Sequence, residues 1–460
     1  MDISFKLTIF LFVMFFSAIV LGEEVKQKEQ GFKFGSYGRV QPATDLKGGV
    51  PSDTNVVSHG SRLHEKSYVE LDFVYLFGVR NNVEFDFVST LAFSDELFHE
   101  TGNFNAVNAV RNLFIRAEGI IAKPLTLWAG SRMYRGDDIY LLDFWPLDNV
   151  NMYGGGAGWH EDSWRVDFHA GINRLEVDFQ HQEIEVPSND SGTETVTILN
   201  RQRLVTGLKA EFHFAGNKNS DFGMKTKLFS ELHRIGAGTM VYPEQENLEV
   251  KYPEDFGYSA GVQLGVYGYG KDDFANLFIK YSGGLTAYGT LSPPYGLNAD
   301  KKTTGAKDFL TGLSGSWTFW KLGTLFGAYL RYFNDADPNK YDNDDFWEYI
   351  ITLRPHIMFH EHFYSAFEFS HQMRRPNGLY SDRHIKGIEY TPMVTKLSLI
   401  PIVTMGGGVY GRPQIRLVYT VSFQNDDAAY TYHPEDERTE ENIHHYLGIS
   451  AEWWFNVHYR

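Results

Sequence analysis

From residue 64 onward apolar positions recur every second residue rather than every 3.6, the period of a strand with two unlike faces. Across 68–77, Val69, Leu71, Phe73, Tyr75 and Phe77 share one face. Tyr68, Glu70 and Asp72 share the other, before Val74 and Leu76 blur the contrast. The stretch 83–93 begins alike, with Phe85 and Phe87 against Glu84 and Asp86. Residues 164–169, 204–214 and 415–423 repeat the pattern, and in 447–455 Glu452 and Trp454 oppose Ala451, Trp453 and Phe455. A soluble sandwich also alternates, so the content of the second face decides. Here it repeatedly carries Asp, Glu, Arg, His and Lys, dense charge for a core but natural for a water-filled lumen. Strands of about ten residues suit a tilted bilayer crossing.

Turn lengths sharpen this picture. Gly78-Val79-Arg80-Asn81-Asn82 joins two alternating stretches tightly, as a hairpin does. By contrast 41–63, 184–201, 293–307, 333–346 and 424–442 are long, polar and rich in Asp, Asn, Gly, Pro and Glu. Short turns on one rim and long loops on the other are the asymmetry of an outer-membrane barrel. The expected fold is all-β, a transmembrane antiparallel β-barrel of roughly sixteen to eighteen strands by turn spacing. It forms one domain over 23–460, and the pattern is least marked in 215–350.

Residues 1–22 are expected to be a signal peptide: Lys6 precedes an apolar run from Leu7 to Leu21, with Gly22 before the expected cut. The run is short for a spanning helix and lacks a basic far flank. The chain has no cysteine, which excludes a lipoprotein and a disulfide-stapled secreted fold. A net charge of -16 argues against nucleic acid as partner. Aromatic residues make up 16% of an otherwise polar, acidic chain, which suits aromatic girdles around a wet interior.

Several segments, in order, resemble the maltoporin family of sugar porins. The strongest is Leu127-Trp128-Ala129-Gly130-Ser131-Arg132-Met133-Tyr134, followed by the acidic stretch from Asp137 to Trp145 and by Gly155-Gly156-Ala157-Gly158. Phe34-Gly35-Ser36-Tyr37-Gly38-Arg39, Tyr68-Val69-Glu70-Leu71, Leu353-Arg354-Pro355, Gly411-Arg412-Pro413-Gln414-Ile415-Arg416 and Glu452-Trp453-Trp454-Phe455 add to it. The likeness is carried by 34–158 and 350–455. It implies eighteen strands, a homotrimer in outer-membrane lipid, passive sugar diffusion without a cofactor, and a long loop folded inward to narrow the pore.

A sugar has apolar C–H faces and a rim of hydroxyls, so a selective pore needs aromatic rings for the faces and charged groups for the rim. Each contact must be modest, or the sugar would not leave. By position, the resemblance assigns the stacking track to Tyr37, Tyr68, Phe359 and Trp454. It assigns the polar track to Arg39, Arg62, Glu70, Arg111, Asp138 and Asp143, with Trp145 where the family usually has Tyr. Arg62 and Arg111 align only with small gaps. Gly136 stands where the family has a further basic residue, with Arg135 one place away. Closing a barrel pairs its first strand with its last, which makes Tyr37 and Trp454 neighbours. A lumen of mixed charge also fits a general-diffusion porin or a barrel enzyme, and the alternation alone leaves a soluble glycan-binding protein open. After residue 455, Val457 and Tyr459 continue the outward set, so a longer last strand is expected.

Other motifs are weaker. Gly154–Gly158 is followed by no helical pattern, against a dinucleotide loop, and His360-Glu361-His362 lacks zinc-protease spacing and suits a turn. No Gly-x-Ser-x-Gly elbow is present. Asp137, Asp138 and Asp143 could in principle serve a glycosidase or hold calcium, but nothing in their spacing specifies either. No enzyme activity and no metal site are expected.

Overall fold

A computed structural model of the chain describes residues 30–456 apart from 65, 95–101, 103–106, 189–191, 216–221, 243–247, 271–272, 339–343, 377–379 and 382–385. The expected signal peptide lies outside the described residues, as do 457–460.

Eighteen strands make the wall. The first six are β1 (Gly31–Val40), β2 (Tyr68–Arg80), β3 (Val83–Ser94), β4 (Val107–Glu118), β5 (Leu125–Arg135) and β6 (Asn149–His160). Next come β7 (Trp164–Asn173), β8 (Arg203–Phe214), β9 (Gly223–Ile235), β10 (Asp255–Tyr267), β11 (Phe274–Gly284) and β12 (Lys307–Phe319). The last are β13 (Leu322–Asn334), β14 (Phe346–His360), β15 (Phe363–Pro376), β16 (Met393–Thr404), β17 (Gln414–Gln424) and β18 (Ile443–Phe455). Each pairs antiparallel with the next, and β1 closes the ring on β18 with Ser36 opposite Phe455 and Tyr37 opposite Trp454. A closed ring leaves no unpaired strand edge in lipid, where an unmet backbone group is costly. None of the described helices is long and apolar enough to cross a membrane.

Connections alternate in length. Asn81 and Asn82 make the β2–β3 turn with φ of 52° and 62°, the left-handed geometry of a two-residue hairpin that asparagine tolerates. Glu361 and His362 make the β14–β15 turn, the setting expected for that His-Glu-His run. The opposite rim carries the long connections. Two of them contain hairpins of their own, His181–Ser188 with Gly192–Asn200 and Gly238–Tyr242 with Leu248–Tyr252.

Period-two alternation places one set of side chains outward, as Leu204, Leu208, Leu228, Leu232 and Leu264 show, all exposed around the wall. The inward set pairs charges between neighbouring strands: Arg116 with Asp86 at 2.5 Å, Arg165 with Glu211 at 2.8 Å, Arg331 with Asp308 at 2.6 Å, and Arg354 with Glu368 at 2.6 Å. The interior is nonetheless more than a polar bore. Loop 41–67 and loop 136–148 both fold into it, and Val56, Val57, Ile139, Leu142 and Leu147 pack on inward Phe229, Phe278, Leu310, Tyr329 and Ile350. Gly312 and Gly327 make room for this on β12 and β13: a Cβ on Gly327 would lie 2.7 Å from Ile139 Cγ2.

The last strand stops at Phe455, with Asn456 at φ 52°, so it does not run on through Asn456 as the sequence suggested.

Candidate functional site

Strands β1, β2 and β18 bring one aromatic group together. The alternation that turns Phe34, Ser36 and Gly38 outward turns Tyr37 and Arg39 inward, and β2 and β18 do the same for Tyr68 with Glu70 and for Trp454 with Glu452. The register sets Tyr37 between Glu70 and Trp454, and Arg39 between Tyr68 and Glu452. The Tyr37 and Tyr68 rings lie 6.1 Å apart at 50°. Tyr37 is buried, whereas Tyr68 and Trp454 remain half-buried.

Charged groups hold these rings. Arg39 donates through Nη1 to Tyr37 Oη at 3.0 Å, meets Asp143 Oδ2 at 3.4 Å, and sits 5.5 Å from the Tyr68 ring centre. Arg62, carried in by loop 41–67, donates to Tyr37 Oη at 2.6 Å and to Glu452 Oε1 at 3.1 Å. The Tyr68 hydroxyl donates to Glu70, and Arg111 lies 3.7 Å from the same carboxylate and 5.3 Å from the Tyr68 ring. Arg111 arrives through a β-bulge: Thr90 pairs with Asn112 and Leu91 with Val110, which leaves Arg111 as the extra residue. A bulge re-aims a side chain, and here it brings Arg111 to Tyr68 and Glu70.

Loop 136–148 supplies the opposing wall. Its root is tied down by Asp137, which meets Lys225 at 2.9 Å and Lys227 at 3.0 Å and accepts from Gln263 at 2.8 Å. Burial opposes ionisation of Asp137, but these two lysines outweigh it and hold the carboxyl far below its usual range. Asp148, at the other end, takes Lys209 at 2.7 Å. Asp143 has φ 47° and turns its carboxylate to Arg39. Burial acts against its charge as well, yet Arg62, Arg39 and Arg135 keep it low. Asp138 is different: burial, with Asp143 and Asp137 nearby, pushes it up to about 7 against the pull of Arg62. It lines a cavity of about 330 Å³ with His213, Lys225, Tyr267, Phe274 and Asn276, whose lining includes none of Tyr37, Tyr68 and Trp454. Trp145 faces a second cavity of about 270 Å³ beside His59, Phe144 and Arg331. Arg135 lies 3.7 Å over its ring, so the basic residue one place from the family position does reach the loop.

Phe359 stands apart and is corrected. On β14 the exposed residues Ile351, Leu353, Ile357 and Phe359 all face outward, while Arg354 and His356 face inward. Phe359 is 57% exposed and stacks on Phe363 at the tight-turn rim. The chain's own alternation carried that signal, against the family position.

Four groups escaped the sequence reading. Glu452 is buried and accepts from Arg62, from Arg412 Nε at 2.9 Å, from Arg416 and from Tyr140 Oη at 3.1 Å. Arg412 also covers the Trp454 ring at 4.1 Å, and Tyr140 meets that ring edge-on at 6.2 Å. Arg412 and Arg416 sit in a quoted motif, but its spacing gives no hint that the short 405–413 turn folds into the lumen. There Val409 packs with Leu141 and Leu325 and Tyr410 meets Tyr140.

A closed eighteen-strand barrel with an apolar outer face and a lumen narrowed by an inward loop is an outer-membrane porin, a channel rather than an enzyme. The chain belongs to the LamB porin family, whose model matches residues 32–455, and is placed in the bacterial outer membrane. Among solved structures it is similar to Pseudomonas aeruginosa OccD3 (OpdP), with 9% identity, 94% of this chain and 92% of that chain covered and a TM-score of 0.45. Pseudomonas aeruginosa OprD gives 7% identity, 93% and 96% coverage and a TM-score of 0.43. A loop L8 deletion mutant of OmpT from Vibrio cholerae gives 11%, 93%, 99% and 0.39.

Proposed function

We propose that this porin is carbohydrate-selective and passes maltodextrin-like oligosaccharides by passive diffusion, as a homotrimer exported with the help of residues 1–22. The observation that carries this reading is the placement of Tyr68 and Trp454 on the lumen side of the two strands that flank β1, half-buried, with Tyr37 on β1 between them. Arg39, Arg62, Glu70, Arg111 and Asp143 surround them. Rings for C–H faces beside a rim of donors and acceptors are what a sugar needs, and no single contact is strong enough to trap it.

In this reading the sugar slides along Tyr68 and exchanges hydrogen bonds with Glu70, Arg39 and Arg111. Arg412 must swing off Trp454 before that ring is usable, so Trp454 engages second. Trp145, with Arg135 over its ring, and Asp138 line two cavities outside this track, and Phe359 faces outward.

The test is ionic current through the purified protein in a planar bilayer while maltodextrin is added. Concentration-dependent block is expected, and Tyr68→Ala should weaken it by about tenfold, the worth of roughly 1–1.5 kcal/mol of ring contact. Current indifferent to every oligosaccharide tried would leave a general-diffusion porin as the better reading.

A further inference from the structure

The outer wall carries a groove that the channel reading does not use. It lies where the long-connection ends of β9, β10, β11 and β12 meet, and has a volume of about 640 Å³. Arg234, Lys302 and Lys307 line it, and Phe256, Tyr258 and Tyr281 form its aromatic wall. Gly283 leaves its floor open: a Cβ there would stand 3.3 Å from the Tyr258 ring. Two carboxylates also line it. Glu254 pairs with Arg234 at 3.1 Å, and Asp255 is buried and taken up by Thr303 N and Oγ1 at 2.7 and 2.8 Å. With Asp255 turned inward, three cations face one exposed carboxylate, on a chain whose net charge is -16.

The groove's height on the wall matters as much as its charge. Just below, toward the middle of the wall, Leu232, Ile279 and Phe309 face outward and are exposed, the surface that meets acyl chains. Long connections of an outer-membrane barrel face the cell exterior. The groove therefore stands at headgroup level of the outer leaflet, with tyrosines at the level where amphipathic rings settle. A phosphate there would meet Lys302, Lys307 and Arg234 while its chains lie along the aliphatic belt. Acidic partners at this level would instead be repelled elsewhere on so acidic a surface.

We infer that this groove binds the phosphorylated headgroup of an acylated lipid of the outer leaflet. The site is independent of what passes through the pore.

The experiment uses the full-length protein in detergent, with native mass spectrometry reading bound lipid. Bisphosphorylated lipid A is the probe, and its phosphate-free counterpart and inorganic phosphate are the comparisons. The bisphosphorylated lipid should bind at least tenfold more tightly than the phosphate-free form, and millimolar inorganic phosphate should not displace it. A Lys302→Ala/Lys307→Ala variant, and separately Gly283→Leu, which fills the floor without touching charge, should each lose that preference. Heat-modified gel mobility reports that each variant has folded. Equal binding of the two lipids, an unaltered preference in either folded variant, or displacement by free phosphate alone would overturn the assignment, as would an oligomer that covers the groove with a second copy.

Discussion

At the residue scale the structure concentrates its electrostatic risk in Glu452. One buried carboxylate answers Arg62, Arg412 and Arg416 and also takes the Tyr140 hydroxyl. Removing its charge takes the shared carboxylate from three guanidinium groups at once, and breaking a buried ion pair costs about 3–5 kcal/mol. Glu452→Gln should therefore lower the urea midpoint of unfolding in detergent. It should also free Arg412 and Arg62 enough to change single-channel current, whereas Glu254→Gln on the outer surface should leave both as they are. Asp138 makes the second prediction at this scale. Its carboxyl titrates near 7, above its usual value, so the folded protein holds a proton that the unfolded chain has already released from about pH 4 upward. Its contribution to stability is thus present at low pH and fades as pH rises toward 7. In the same window the inward loop gains a negative charge, so cation preference in salt-gradient reversal potentials should step up between pH 6 and 8. Asp138→Asn should remove the step, and a step that survives that change would assign it to another group.

At the element scale, loop 136–148 is held in the lumen by ion pairs and by apolar packing. Asp137 ties its root to Lys225 and Lys227, and Ile139 fills the space that Gly312 and Gly327 leave. Ile139→Ala empties an apolar site, a loss of about 2–5 kcal/mol in a well-packed setting. Combined with Asp137→Ala it should let the loop leave the constriction and raise single-channel conductance several-fold. Unchanged conductance in the double variant would mean that Asp148 with Lys209, together with Leu142 and Leu147, holds the loop without them. This is also where the sequence was hardest to read. Strands such as β2 and β18 were plain because Glu70, Asp72 and Glu452 break an apolar run at period two. The inward packing of Val56 and Ile139 was not, because a short apolar island in a polar loop looks the same whether it meets solvent, lipid or, as Ile139 does, the gap left by distant Gly312 and Gly327. The hairpin His181–Ser188 with Gly192–Asn200 was absorbed into the polar stretch 184–201, because its few apolar residues, such as Ile184, Val186 and Val196, are outnumbered by Glu, Thr, Ser and Asn. The bulge at Arg111 is invisible to alternation, and Phe359 was misplaced because family position was preferred over its own strand's phase.

At the scale of the whole molecule the lumen depends on closure of the ring. Every inward assignment, from Tyr37 to Trp454, presumes that the first strand meets the last, and that seam is short: five residue pairs, Ser36–Val40 against Ala451–Phe455, with Ala43 and Thr44 extending it on Gly448 and Leu447. Trp453 seals it from outside, its ring lying against Gly38 and its Nε1 donating to Ser36 Oγ at 3.1 Å. Because the chain has no cysteine, a pair introduced at the directly opposed Val40 and Ala451 can form only with each other within one molecule. Opposed residues of an antiparallel pair stand about 4.5–5.5 Å apart between Cα atoms, within disulfide reach. The cross-link would tie positions separated by nearly the whole chain, and loop-closure entropy alone would stabilise it by about 5 kcal/mol or more. Oxidised V40C/A451C should thus resist thiol alkylation while folded and unfold at higher temperature than its reduced form, with each single variant unchanged. Free thiols in the folded, oxidised double variant would mean that the barrel is open at this seam, and the lumen-facing placement of Tyr37 and Trp454 would fall with it.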